Sequence, residues 1–178
     1  MNTELPVAGS ASAELVQMAH DIFVEAAVKS GIDLSGFDSA ASLQDRVAWA
    51  QAHDFGIGTI LDRYSQKLQL STTVQVKECL QFAMAQKIYV PPEFICIDEH
   101  KSSRNGLDRV KQILARRLAG ILLVFNVSRH FRVARLGFRF FDEEVIKAGL
   151  RGISVGQKID TDKKAAWKLL CYMHEFML

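Results

Sequence analysis

The chain has 178 residues, 49% of them hydrophobic and 24% charged, with a formal net charge of +2. That length and balance suit one soluble globular domain with a full hydrophobic core, with or without an appendage, and exclude a disordered or low-complexity chain. No apolar run approaches the roughly 20 residues needed to span a membrane, and Cys79, Cys96 and Cys171, odd in number and far apart, argue against a disulfide framework or zinc knuckle and for reduced thiols in a cytoplasm.

Residues 12–30 predict a helix, because Leu15, Met18, Ala19, Ile22, Phe23 and Ala26 repeat at helical spacing between a capping Ser12 and a stop at Gly31. A loop rich in Gly, Ser and Asp leads to a second helix starting at Ser42, with Asp45 at capping-box spacing. Residues 1–55 carry eight Asp/Glu against Lys29 and Arg46, a net of −6, and read as an acidic helical extension preceding the main fold.

From Gly56 the pattern alternates. A strand at 57–63 precedes a helix from about Thr73 to Lys87, whose apolar stripe is Val76, Cys79, Leu80 and Ala83 and whose start pairs Thr72 with Gln75 at capping-box spacing. Pro91 and Pro92 break the chain before a strand at 94–97. A helix at about 105–118 follows, and Ile121 to Phe125 is continuously apolar, as a central parallel strand buried on both faces should be. The remainder predicts a helix at about 133–148 stopping at Gly149, a strand at 151–155 and a last helix from about 163. The expected fold class is α/β: a three-layer domain with a mainly parallel sheet of four to five strands flanked by helices. Ligands of such sheets sit at the carboxyl ends of the strands, and Ser65, Asp98 and Asn126 all lie just past predicted strand ends.

Residues 101–151 hold 12 Lys/Arg against Asp108, Asp142, Glu143 and Glu144, a net of +8 that suits a polyanion partner and equally an ordinary solvated charged face. Three arginine-bearing segments should meet at the strand ends: Arg63 itself, the loop with Lys101 and Arg104, and the loop with Arg129 and Arg132. One serine, Ser65, among several guanidinium groups suits a phosphodiester, because arginine forks pair bidentately with phosphate oxygens and stabilise charge that develops in the transition state. HExxH is absent, so a zinc protease is not indicated, and no histidine or carboxylate is clearly poised as a base in the manner of a Ser-His-Asp triad. Arg135 and Arg139 continue the basic side of the following helix and suit an ordinary solvated face somewhat better than a functional one. Cys79 and Cys96 read as core packing, and Trp49 and Trp167 as packing anchors.

The order of these motifs resembles the serine recombinases, the resolvase–invertase family, over about residues 57–178. The family's Tyr-x-Arg-x-Ser opening corresponds to Leu61-Asp62-Arg63-Tyr64-Ser65, followed by Gln69. Its Asp-x-Gly-x-Ser-Gly loop is similar to Asp98-Glu99-His100-Lys101-Ser102-Ser103, with Arg104 before Gly106-Leu107. Its Ser-Arg is Ser128-Arg129, and its Ile-Asp-Thr is Ile159-Asp160-Thr161. The resemblance implies a catalytic domain from residue 56 in which Ser65 attacks a DNA phosphate to form a 5′-phosphoserine ester. Strand exchange and religation then follow without ATP or metal. It makes Arg63, Gln69, Arg104 and Arg129 catalytic, with Lys101, Arg132 and Arg135 as DNA contacts.

It further implies double-stranded DNA and a homodimer or homotetramer as partners, no cofactor, no membrane, and a cytoplasmic, nucleoid-associated location. The apolar positions Leu169, Leu170, Met173 and Met177 run to the chain end, so the expectation is a catalytic domain truncated within its oligomerisation helix. Phe125-Asn126 stands where most members place Asp-Arg. A catalytically impaired DNA-binding or assembly module on the same fold is therefore the alternative.

Overall fold

The structure is a computed structural model that describes residues 11–63, 71–98, 104–127, 134–165 and 167–169. Its elements follow the expected alternation. They are α1 (Ala13–Lys29), α2 (Leu43–Ala52), β1 (Gly56–Arg63), α3 (Thr72–Ala85), β2 (Ile88–Tyr89), β3 (Ile95–Asp98), α4 (Asn105–Ala115), β4 (Ile121–Val124), α5 (Ala134–Phe140), β5 (Arg151–Ser154) and β6 (Ile159–Asp160). Helical residues resume at Lys164, close to the expected start of the last helix.

The six strands form one sheet in which every pairing but one is parallel. β1 is central. On one side it pairs first with β2 (Gly56↔Ile88) and then with β3 (Ile60↔Ile95 to Arg63↔Asp98), and on the other with β4. β2 and β3 thus lie end to end, separated by Pro91 and the 3-10 turn Pro92–Phe94, because proline cannot continue a ladder. β5 extends the sheet and β6 closes it in antiparallel fashion. β2 and β6 are two residues each, too short for a periodicity signal, and neither is predicted by the sequence reading.

Side chains alternate across the sheet as a period of two requires. Ile57, Leu61, Cys96, Leu122 and Val124 face a cluster completed by Val110 and Ile113 of α4, Phe138 of α5, and Phe141 and Val145. Ile60, Ile95, Ile97 and Leu123 face Leu15 and Ala19 of α1 with Val76, Cys79 and Leu80 of α3. Both described cysteines are buried, as packing residues should be.

The caps are local consequences of sequence. Ser12 and Ser42 accept from the amides of Leu15 (3.4 Å) and Asp45 (3.1 Å), as expected. α3 is capped one residue earlier than predicted: Ser71, not Thr72, accepts from Val74 (3.3 Å). α5 runs into a π-helical turn, Phe141–Ile146, before the stop at Gly149. Phe138, Phe140 and Phe141 are all buried in the cluster on the α4 side of the sheet. Trp167 stacks on Phe141 (ring centroids 5.5 Å apart) and donates its indole N–H to Asp142 (3.1 Å).

The acidic segment packs directly on the amino end of the sheet. Phe23 of α1 meets Phe37 at 4.7 Å, Tyr89 at 4.8 Å, Phe55 at 5.8 Å and Trp49 at 6.0 Å. Arg46 of α2 is buried, pairs with Glu93 and donates Nε to the Ala41 carbonyl (3.0 Å). Arg109 of α4 donates to the backbone carbonyl of the same Glu93 (2.9 Å), so one turn residue ties α2 to α4. No described helix is long and apolar enough to cross a membrane.

Candidate functional site

β1 carries Arg63 to the carboxyl edge of the sheet. Because Ile57 and Leu61 face the α4 side, Arg63, two residues further, projects to that side, whereas Asp62 points to the α1–α3 side. There Asp62 is 1% exposed, and its charge adds to burial in pushing the Cys79 thiol upward. Arg63 is half-buried, and its partner across the ladder is Asp98 at the end of β3.

Asp98 is buried and accepts the Gly106 amide at 2.8 Å through its Oδ1. The residue at the N-cap of α4 is Arg104, which has no acceptor, and no side-chain cap forms there. Asp98 therefore supplies from the neighbouring strand the carboxylate that the helix start lacks. A glycine at 106 makes this contact possible: a Cβ there would lie 2.8 Å from the Ile97 carbonyl carbon and 3.0 Å from the Asp98 nitrogen.

Burial pushes the Asp98 carboxyl above the ordinary aspartate value, while the Gly106 amide and the Arg63 cation act downward. A folded value above the unfolded one means the native state holds this proton more tightly, so the stability from this group is full in acid and falls as pH rises through the interval between the two. Asp98→Asn keeps an acceptor for Gly106 and is expected to flatten that dependence. Asp98→Ala removes the acceptor and is expected to cost about 1–2 kcal/mol. Thermal melts at pH 4 and pH 7 read both effects; an unchanged pH slope in Asp98→Asn would rule out this account.

Arg63, Asp98 and the first turn of α4, opened by the exposed Arg104, are thus brought together. The next strand, β4, ends beside them: Asn126 is half-buried past the strand, and the Val127 amide donates to Gln157 Oε1 (2.9 Å). Ser65, Gln69, Lys101, Arg129 and Arg132 lie outside the described residues, and Arg135 sits on α5 with its side chain outside the description.

The Ile159-Asp160-Thr161 motif has an architectural place. Asp160 receives Arg151 through two bonds (2.7 and 3.1 Å), and Thr161 accepts the Gly152 amide (2.8 Å), which together lock β6 onto β5. Although burial acts upward, the Arg151 guanidinium, the Asp162 amide and the charges nearby outweigh it and hold the Asp160 carboxyl below the usual range. Sequence reading did not single out Gln157, Ser154 or the buried Asp62. The first two sit in or beside a turn without periodicity, and Asp62 is one polar residue inside an apolar strand.

No family model matches the chain, and no curated protein matches it. Among solved structures it is similar to the N-terminal catalytic domain of TP901-1 integrase, with a TM-score of 0.57 at 18% identity, over 68% of this chain and 95% of that one. At that identity the likeness establishes the fold. The resemblance drawn from the motifs is therefore met at the level of the fold.

Proposed function

We propose that this chain is a serine-type DNA recombinase with a catalytic domain from residue 56 and an acidic helical extension before it. Ser65 attacks a DNA phosphorus: the Oγ–P bond forms, the P–O3′ bond breaks, and the proton passes to the departing 3′-hydroxyl. The 3′-hydroxyl of an exchanged strand later reverses the step and frees Ser65. Arg63, Arg104 and Arg129 neutralise the equatorial phosphate oxygens, Gln69 orients the site, and Lys101, Arg132 and Arg135 contact the DNA backbone. Exchange between two duplexes calls for a homodimer that becomes a homotetramer.

The observation that carries this reading is the placement of Arg63 at the end of the central strand, beside Asp98 and the opening of α4, on a fold shared with an integrase catalytic domain. The second reading, an impaired DNA-binding or assembly module, is favoured by Asn126 standing directly beyond β4, where the resembled family carries a charged pair.

The test separates them. The full chain is incubated with randomly nicked chromosomal DNA of its own host, so that cleaved ends diffuse away and religation fails. After denaturation and trypsin, the peptide Tyr64-Ser65-Gln66-Lys67 is expected to carry a nucleotide on Ser65, with or without EDTA, since the arginines supply the charge stabilisation. DNA retained without any covalent adduct would overturn the enzyme reading in favour of the module.

A further inference from the structure

We infer that Gln157 is a positioning residue for the segment that carries Arg129, acting through a hydrogen-bonded clasp on the Val127 amide. The inference rests on the recombinase reading above.

β4 ends at Val124, and the chain beyond it must leave the sheet. Each backbone group that loses a ladder partner there needs another if it is buried. The turn between β5 and β6 provides three of them. Val155 N–H donates to the Val124 carbonyl (2.9 Å) and Gly156 N–H to the Phe125 carbonyl (2.8 Å). Val127 N–H donates to the side-chain oxygen of Gln157 (2.9 Å).

Ser154 completes the clasp. Its hydroxyl lies 2.8 Å from that same Gln157 oxygen and 3.3 Å from the Phe125 carbonyl. A hydroxyl has one proton to give, and the shorter distance assigns it to Gln157. One amide oxygen therefore gathers two donors, one from each of two strand ends. Both donor residues are buried, Val127 at 0% and Ser154 at 1% exposure.

The turn is shaped for this contact. A Cβ at Gly156 would lie 2.8 Å from the Phe125 oxygen, so only glycine admits so close an approach. Lys158 adopts a left-handed backbone (φ 55°), a conformation a non-glycine residue holds only when its surroundings fix it. Here the Arg151–Asp160 pair and the β5–β6 ladder fix it.

Val127 stands two residues before Arg129 in the chain. Gln157 thus sets where that segment departs from the sheet without touching the phosphate itself. A misplacement of about 1 Å in a group that stabilises a transition state costs on the order of 10²-fold in rate. DNA affinity, spread over many phosphate contacts, is much less sensitive to one of them.

The experiment uses the full chain and a nicked duplex recovered from the capture described above. Gln157→Met keeps length but removes the acceptor, and is expected to slow single-turnover adduct formation by about 10- to 100-fold while DNA affinity stays within about twofold. Gln157→Glu, which retains the acceptor oxygen, is expected to cleave faster than Gln157→Met. Should Gln157→Met fail to fold, Ser154→Ala removes one donor and leaves Gln157 in place, and is expected to slow cleavage at unchanged affinity. Wild-type rates in Gln157→Met or Ser154→Ala would overturn the inference. So would rate and affinity falling together with no recovery in Gln157→Glu. A wild-type chain that forms no adduct counts against the recombinase reading; a competent wild type with insensitive variants counts against Gln157 alone.

Discussion

Ser65→Ala is expected to abolish the covalent protein–DNA adduct while leaving DNA retention near that of the unaltered chain. The two outcomes part because they draw on different chemistry. The adduct needs one nucleophilic oxygen, and alanine offers none. Retention depends on many Lys/Arg contacts with phosphates, which a single hydroxyl barely influences. Gel shifts over a salt series measure retention, and mass spectrometry of the tryptic peptide measures the adduct. Ser30→Ala, at the exposed end of α1, is the control and is expected to leave the adduct intact. An adduct surviving Ser65→Ala would move the nucleophile to another residue and with it the proposed register of the first motif.

A chain beginning at residue 56 is expected not to fold cooperatively. It would lack Leu15, Ala19, Phe23, Ala27, Ala50 and Phe55, all buried, and would bare Tyr89 and the apolar face of α3. A single Phe23→Ala change should already cost about 3–5 kcal/mol, a large share of the roughly 5–15 kcal/mol that holds a domain together. Circular dichroism on heating distinguishes the cases: a sharp transition within a few degrees of the full chain would mean that the segment is a mere attachment. The acidic charges need a gentler probe of any effect on DNA binding. Neutralising exposed residues such as Glu14 and Asp38 leaves the packing in place.

The expectations that succeeded rest on signals that repeat. The apolar spacing of α1 and the unbroken Ile121–Phe125 run are redundant over many residues, and the strand–helix alternation forced a parallel sheet. Features that depend on one residue meeting a distant one were not legible. Nothing near Asp98 in sequence says that its carboxylate will cap α4 in place of Arg104, because the contact depends on how closely Gly106 lets the helix approach the strand. Gln157 and Val127 are likewise joined only when β4 and β5 pair. The depth at which the acidic segment is packed also escaped, because Arg46 and Glu93 meet only in three dimensions. At the candidate site, the motif order fixed which loops to consider, and among the described residues the fold brings Arg63, Asp98, Arg104 and Asn126 to one edge.

The end-to-end arrangement of β2 and β3 also bears on colloidal behaviour. A sheet margin with a long row of open amides and carbonyls is a template on which foreign strands add, and it is where aggregation starts. Here that margin is interrupted after two residues by Pro91 and Pro92, neither of which has an amide to offer, and the opposite margin is a strand of only two residues. Among the described residues, neither rim offers an incoming strand a ladder longer than the four residues of β3. The described sheet is thereby steered away from fibrous stacking.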